Sequence, residues 1–162
     1  MDAQMPEEKN KKPLYELYRV LNESDIPLFK KKAMLRSLFI GESWTWVVTK
    51  ISLAALAQFE KHEYEKKPHI YDRHHPKPFK KTAEEMLVEP TLSYKKWCKI
   101  IKENEIVHLL TKAEHRKCNK EQPSMIPISE KGLFCNGGKT VGYSYGDKEK
   151  DYLKRLAKKH LS

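Results

Sequence analysis

The stretch WTWVVTKISLAALAQF, residues 44–59, is the longest segment of the chain in which apolar side chains dominate. Its apolar residues recur at the spacing of one helical face, so the pattern predicts a single buried helix over 44–59. The segment has 16 residues and is interrupted by Lys50 and Gln58, so it is too short and too polar to span a membrane. We expect the other elements to pack around this central helix, and its predicted core residues are Trp44, Val48, Ile51 and Leu56.

Two shorter amphipathic helices are predicted before the central helix. The first begins at Pro13, because proline is favoured in the first turn of a helix, and the second covers residues 27–40. Residues 1–12 are polar and mixed in charge, which is typical of a flexible tail. With the central helix, these elements predict a helical core over residues 13–65.

The composition changes sharply after the central helix. The segment KHEYEKKPHIYDRHHPKPFKK, residues 61–81, is rich in lysine, histidine and aromatic side chains. Three prolines, Pro68, Pro76 and Pro78, exclude a regular helix there. The pattern predicts a basic, His/Pro-rich connector over residues 66–81 that is extended and lies on the surface.

The chain beyond this connector, residues 82–162, predicts a second helical pair. A short helix over 83–88 precedes a basic amphipathic helix over 93–103. Continuing that helix would place a glutamate on its apolar face, so we expect a break near Asn104 and a further helix over 105–117.

The last part of the chain predicts a β-hairpin and a closing helix. The sequence Asn-Gly-Gly at 136–138 is a strong turn signal, and apolar residues alternate over 141–145 as in a half-buried strand. A final helix is predicted over 147–160. The predicted fold class is α+β and predominantly helical, with about six helices around the central helix and a C-terminal β-hairpin, in a single domain over 13–162.

The chain is strongly basic. Its 32 lysine and arginine residues against 22 aspartate and glutamate residues give a formal net charge of +10. Only five of the basic residues are arginine, and lysine contacts phosphate as a point charge, whereas arginine makes bidentate contacts with bases. The sequence therefore predicts nucleic-acid binding through the phosphate backbone with little sequence specificity, to either DNA or RNA. The alternative is an interaction or inhibitor protein that docks a basic face on an acidic protein.

The N-terminal sequence and the number of cysteines indicate the cellular compartment in which we expect the protein. The first twelve residues, MDAQMPEEKNKK, contain no apolar run of the kind found in export signals. An odd number of cysteines, three, indicates free thiols rather than a disulfide framework. We therefore expect a cytoplasmic protein without a membrane span.

Positive charge is concentrated in two segments of the chain. Residues 61–82 carry seven basic against three acidic residues, and residues 93–120 carry eight against three. If the two segments lie side by side they form one positive surface, on which Tyr71 and Phe79 are available to stack on bases. The predicted nucleic-acid-binding residues are Lys66, Lys67, Arg73, His74, His75, Lys77, Lys80, Lys81, Lys95, Lys96, Lys99 and Lys102.

The connector histidines suggest a different chemistry. Histidines supply general acids and bases near neutral pH, and with Arg73 as a cation they form the inventory of a metal-independent nuclease. However, His74 and His75 are neighbours in an extended segment, so their side chains should point to opposite sides. Because convergence is not predicted, a binding protein is favoured over an enzyme, the nuclease is the weaker alternative and no catalytic residue is assigned.

The chain also contains one metal-ligand spacing, His115-x-x-Cys118. Cys98 and Cys135 would complete a Cys₃His set of the kind that binds zinc. Each of those two cysteines stands alone in the sequence, and Cys98 falls on an apolar helical face, where a thiol behaves as a small hydrophobe. We therefore predict no metal site and no cofactor.

Overall fold

The computed structural model describes residues 11–39, 47–65, 67–118, 120–135 and 143–162. Within these ranges the chain forms seven helices and a four-stranded mixed sheet, so the predicted α+β, mostly helical class is confirmed. The elements in chain order are α1 (Lys12–Glu23), α2 (Leu28–Phe39), β1 (Val47–Ser52), α3 (Leu53–Lys61), β2 (Ile70–His74), α4 (Phe79–Met86), α5 (Tyr94–Asn104), β3 (Ile106–Thr111), α6 (Lys112–Lys117), β4 (Met125–Pro127) and α7 (Asp147–His160).

The four strands lie in the order β2-β3-β1-β4. β1 runs parallel to β3, while β2 and β4 are antiparallel strands at the two edges. The strands are interspersed among the helices, so the predicted C-terminal hairpin is wrong. A lone two-stranded hairpin is marginal in water, and the chain instead pairs strands that are distant in sequence. The turn signal at 136–138 lies outside the described residues.

The segment 44–59 is not one helix, and this prediction is wrong. Its described part is β1 followed by α3, which begins at Leu53. Valine, threonine and isoleucine are frequent over 47–51, and β-branched side chains favour a strand. The helix begins where Ser52 caps it, since the Ser52 Oγ accepts a hydrogen bond from the Ala55 N–H at 3.0 Å.

Most of the core predicted from that segment is nevertheless correct. Val48, Ile51 and Leu56 are buried, and they join a cluster formed where α3 and α7 pack on one face of the sheet. Trp44 lies outside the described residues. Apolar side chains at these positions are buried in either secondary structure, so the sequence identifies the core more reliably than the element.

The predicted helix over 105–117 is wrong in the same way. α5 ends at Asn104 as predicted, but the chain continues as β3 and then as α6. Thr111 and Glu114 form a capping box at the start of α6, in which the Thr111 Oγ1 accepts from the Glu114 N–H at 3.1 Å and the Glu114 carboxylate accepts from the Thr111 N–H at 2.9 Å. A short apolar run is compatible with helix or strand, and pairing with β1 and β2 decides for strand here.

The His/Pro-rich connector is partly a strand of the sheet. It is extended over β2, but Ile70 is buried, so the expectation of a surface segment is wrong at that point. α4 begins at Phe79, earlier than the predicted start at residue 83, because Pro78 occupies the position before the helix, where its missing N–H costs nothing.

The second core cluster lies among α1, α2, α4 and α5 around the fully buried Trp97. Within this cluster the Tyr18 hydroxyl donates a hydrogen bond to the Met86 carbonyl oxygen at 2.7 Å.

The four helices α1, α2, α5 and α7 lie close to their predicted positions, so these predictions are confirmed. Lys11, which falls in the predicted tail, is buried, and its Nζ lies 2.7 Å from the Glu105 Oε1. Residues 1–10 of that tail lie outside the described part.

Candidate functional site

Polar side chains form a row across three strands of the sheet. Lys50 on β1 is the register partner of His108 on β3, and His108 is in turn the partner of His74 on β2. Val107 and Leu109, the neighbours of His108, are buried in the sheet core. Because side chains alternate along a strand, His108 lies on the opposite face of the sheet from this core.

α6 adds a third histidine to this row. The Nδ1 of His115 lies 3.3 Å from the Nδ1 of His74, and the Tyr71 ring stacks on the His115 ring with 3.6 Å between ring centroids. The ring centroids of His74 and His108 are 6.0 Å apart. We call His74, His108 and His115 the histidine cluster. Tyr71 is engaged by His115 on one ring face, so it is less available to stack on a base than the sequence suggested.

The surroundings of the histidine cluster lower the pKa of each of its three imidazoles. Burial, followed by repulsion from His74 and Lys50, lowers the pKa of His108 to about 4. Burial is also the main cause that lowers the pKa of His74 and of His115 below the ordinary histidine value. A neutral imidazole is a metal ligand and a weak general acid. These histidines therefore take up a proton less readily than histidines exposed to solvent.

The two neighbouring connector histidines point to different places, as predicted. His74 contacts His115 within the histidine cluster, whereas the Nδ1 of His75 lies 2.7 Å from the Asn104 carbonyl oxygen at the end of α5. His75 therefore links the end of β2 to the end of α5 inside the protein.

The thiol of Cys118 joins two members of the histidine cluster. One ligand atom from each of His74, His115 and Cys118 lies within 4.8 Å of the others. The Cys₃His set considered from the sequence is not assembled, since Cys98 packs against the helical core and the Cys135 Sγ lies 3.6 Å from the Leu133 carbonyl oxygen. Sequence reasoning named His74 but did not place it beside His115 and Cys118, because only the pairing of β2 with β3 brings it to α6.

Several of the predicted nucleic-acid-binding residues have partners inside the protein. The Lys77 ammonium pairs with the carboxylates of Glu85 and Glu103. The Lys67 Nζ donates to the Tyr143 carbonyl at 2.9 Å and lies 3.9 Å from the centroid of the Tyr143 ring. These two lysines link parts of the fold. Lys66 and the side chain of Arg73 lie outside the described residues.

The remaining predicted lysines are exposed on two neighbouring helices. Lys80 and Lys81 are exposed on α4, which packs against α5. Lys95, Lys99 and Lys102 follow a spacing of four and three residues, which places them on one face of α5. With Lys96, which is also exposed, they form what we call the α5 lysine row.

One acidic residue, Glu103, lies on the same helix as the α5 lysine row, and its pKa is lowered first by its hydrogen bond to Lys77 and also by the charge of Lys99. Glu103 is the single acidic residue of α5, and Lys77 already pairs with it. Within the part of the chain that the structure describes, Lys95, Lys96 and Lys99 form no ion pair. The aromatic residue predicted to assist them, Phe79, packs against Phe39 at 6.3 Å between ring centroids instead of projecting beside the row.

The comparisons with known proteins give no family for this chain. No protein-family model, curated protein or solved structure matches it. Among the described residues, no helix is both long enough and apolar enough to cross a bilayer.

Proposed function

We propose that the protein binds nucleic acid, and that the α5 lysine row contacts successive phosphates of the backbone. The observation that carries this proposal is the placement of Lys95, Lys96 and Lys99, which are exposed, adjacent and without an ion-pair partner among the described residues. Such a row retains its positive potential and releases counterions when it neutralises phosphates. The net charge of +10 adds a long-range attraction for any polyanion.

The proposed binding has little sequence specificity. Lysine ammonium groups contact phosphate as point charges, and phosphate contacts position a protein on nucleic acid without reading its sequence. α5 contains no arginine, and Arg36, which lies 5.9 Å from the centroid of the Phe79 ring, belongs to α2 rather than to the row. Backbone contacts by lysine therefore dominate on this face, and DNA and RNA are both candidates.

The alternative partner is an acidic protein, which the same row would attract. Nucleic acid is favoured because its phosphates are evenly spaced, so a regular row of lysines can neutralise several of them at once. A carboxylate-rich protein surface has no such regular spacing. The experiment below separates the two partners.

The test measures binding of labelled duplex DNA, duplex RNA and single strands of each by fluorescence anisotropy. The triple variant Lys95→Gln, Lys96→Gln, Lys99→Gln removes three positive charges from the row. We expect it to weaken binding by about tenfold or more at low salt for every sequence tested. The matched control is the triple variant Lys131→Gln, Lys158→Gln, Lys159→Gln, which removes the same charge from exposed positions on and before α7.

Loss of affinity in the α5 variant, with the control close to the unchanged protein, supports the proposal. Equal losses in both variants would show that net charge acts without a site, which contradicts it. If the unchanged protein binds none of the four nucleic acids at low salt, the proposal fails and the acidic-protein alternative takes its place.

A further inference from the structure

We propose that His74, His115 and Cys118 form a binding site for a single zinc ion. The site is independent of the α5 lysine row and involves no residue of it. Its basis is the convergence of two imidazoles and one thiol whose ligand atoms all lie within 4.8 Å of one another. These three donors come from β2 and from the segment of α6 and the turn after it.

The separation of the two imidazole nitrogens fits a tetrahedral ion. The Nδ1 atoms of His74 and His115 are 3.3 Å apart. Two zinc–nitrogen bonds of ordinary length at the tetrahedral angle place their nitrogens about 3.3–3.4 Å apart. The observed separation therefore equals that of two vertices of a tetrahedral coordination shell. Cys118 follows His115 by three residues, so both side chains lie on the same side of the α6 turn.

The fold holds these donors in place before any ion arrives. The Thr111–Glu114 capping box starts α6 directly after β3, and the Glu114 carboxylate also accepts from the Ser52 Oγ at 2.6 Å. The helix that carries His115 is thereby attached to both parallel strands. The Tyr71 ring, stacked on His115, limits rotation of that imidazole. Neighbouring residues that orient the ligands in this way are typical of metal sites.

The proton balance of binding is simple. Each Nδ1 must carry a lone pair, so the proton of each neutral imidazole moves to, or stays on, the Nε2. The Cys118 Sγ–H, which lies 3.0 Å from the His115 carbonyl oxygen, gives up its proton to solvent and binds as a thiolate. One proton is released for each zinc ion bound, provided that both imidazoles start neutral.

The site supplies three protein ligands and leaves a fourth position for water. His108 lies beside His74 but is not part of the group of converging ligand atoms. Three protein donors with an open position are typical of zinc sites that bind an exchangeable ligand, whereas structural sites are closed by four. His108 on β3 is the register partner of His74, and Lys50 on β1 is the register partner of His108.

The competing explanation is a hydrogen bond between the two histidines. One Nδ1–H donating to the other Nδ1 accounts for a distance of 3.3 Å without any metal. This explanation requires no thiol, whereas the zinc site requires Cys118. The role of the cysteine therefore separates the two explanations.

The experiment uses the full-length protein without a histidine tag, stripped of metal with a chelator. Zinc is titrated in competition with a chromophoric chelator, and cobalt(II) is used as a spectroscopic substitute that reports thiolate and tetrahedral coordination. The variants are His115→Gln and Cys118→Ser, with His160→Gln and Cys135→Ser as matched controls outside the group. His115 and Cys118 lie on a short, partly exposed helical segment, so these variants avoid the sheet strand that carries His74.

We expect one zinc ion per chain and a thiolate-to-cobalt absorption band in the unchanged protein. Each site variant should weaken zinc binding by more than about 100-fold, because loss of a residue that only supports a metal ligand already costs about 10–100-fold. The controls should bind as the unchanged protein does, and Cys118→Ser should abolish the thiolate band. The proposal is overturned if the unchanged protein binds no zinc, or if Cys118→Ser retains both the affinity and the band.

Discussion

The Nδ1 of His74 lies 3.3 Å from the Nδ1 of His115, although the two residues are 41 positions apart in the sequence. His74 ends the edge strand β2, and His115 lies on α6, which follows the neighbouring strand β3. The contact therefore depends on the antiparallel pairing of β2 with β3 and on the capping box that turns the chain into α6. The proximity of these two histidines is therefore a consequence of the topology, and no local sequence motif encodes it.

The first prediction concerns the pH dependence of stability at His108. Its pKa is lowered from 6.5 to about 4, mainly by burial and further by His74 and Lys50, which face it from β2 and β1. The unfolded chain therefore binds a proton at this residue between about pH 6.5 and about pH 4, and the folded chain does not. The stabilising contribution is complete above pH 6.5 and is lost as the pH falls through this window. Chemical denaturation of the metal-free protein at pH 7, 6 and 5 should give a decreasing free energy of unfolding.

Two variants, one at His108 and one at a control histidine, test whether His108 causes the decrease in the free energy of unfolding. His108→Gln should reduce the decrease between pH 7 and pH 5 without abolishing it, because the substituted side chain does not titrate whereas His74 and His115, whose pKa values are also lowered, still do. His160→Gln changes an exposed histidine near the C-terminus and should leave the slope as it is. A slope that is identical in all three proteins would show that His108 does not favour the neutral form in the folded state.

The second prediction concerns the core beneath the sheet. Ile51 lies on β1 and is fully buried, so Ile51→Ala should lower the free energy of unfolding by about 2–5 kcal/mol through the cavity it leaves. Val47 is on the same strand but is 40% exposed, and Val47→Ala should cost about 1 kcal/mol or less. Urea denaturation monitored by far-UV circular dichroism measures both. Equal losses in the two variants would contradict the different burial of Val47 and Ile51 on β1.

The sequence predicts the helices of this fold better than its strands. α1, α2, α5 and α7 have polar and apolar faces that repeat with the helical period, and each was predicted close to its observed position. β1 and β3 are short apolar runs that continue directly into helices α3 and α6, so each strand–helix unit resembles one longer helix. The distinguishing signals were present, namely β-branched residues over 47–51 and the capping residues Ser52 and Thr111.

The two candidate sites also differ in how far the sequence predicts them. The α5 lysine row is predictable, because the four lysines share one face of an amphipathic helix that periodicity identifies. The metal-ligand group is predictable only in part. The spacing of His115 and Cys118 is local and visible, but the third donor, His74, reaches them through strand pairing. The expected single basic surface is also reduced, since Lys67 and Lys77 bind partners within the fold.

The most direct test of the proposed nucleic-acid binding is the salt dependence of the affinity of the unchanged protein for duplex DNA. If Lys95, Lys96 and Lys99 each neutralise one phosphate, the logarithm of the association constant should fall against the logarithm of salt concentration with a slope of about −2.7 or steeper. The triple glutamine variant at these positions should lose about that much of the slope. An affinity that does not change with salt, or a slope that the variant leaves intact, would contradict phosphate binding by the α5 lysine row.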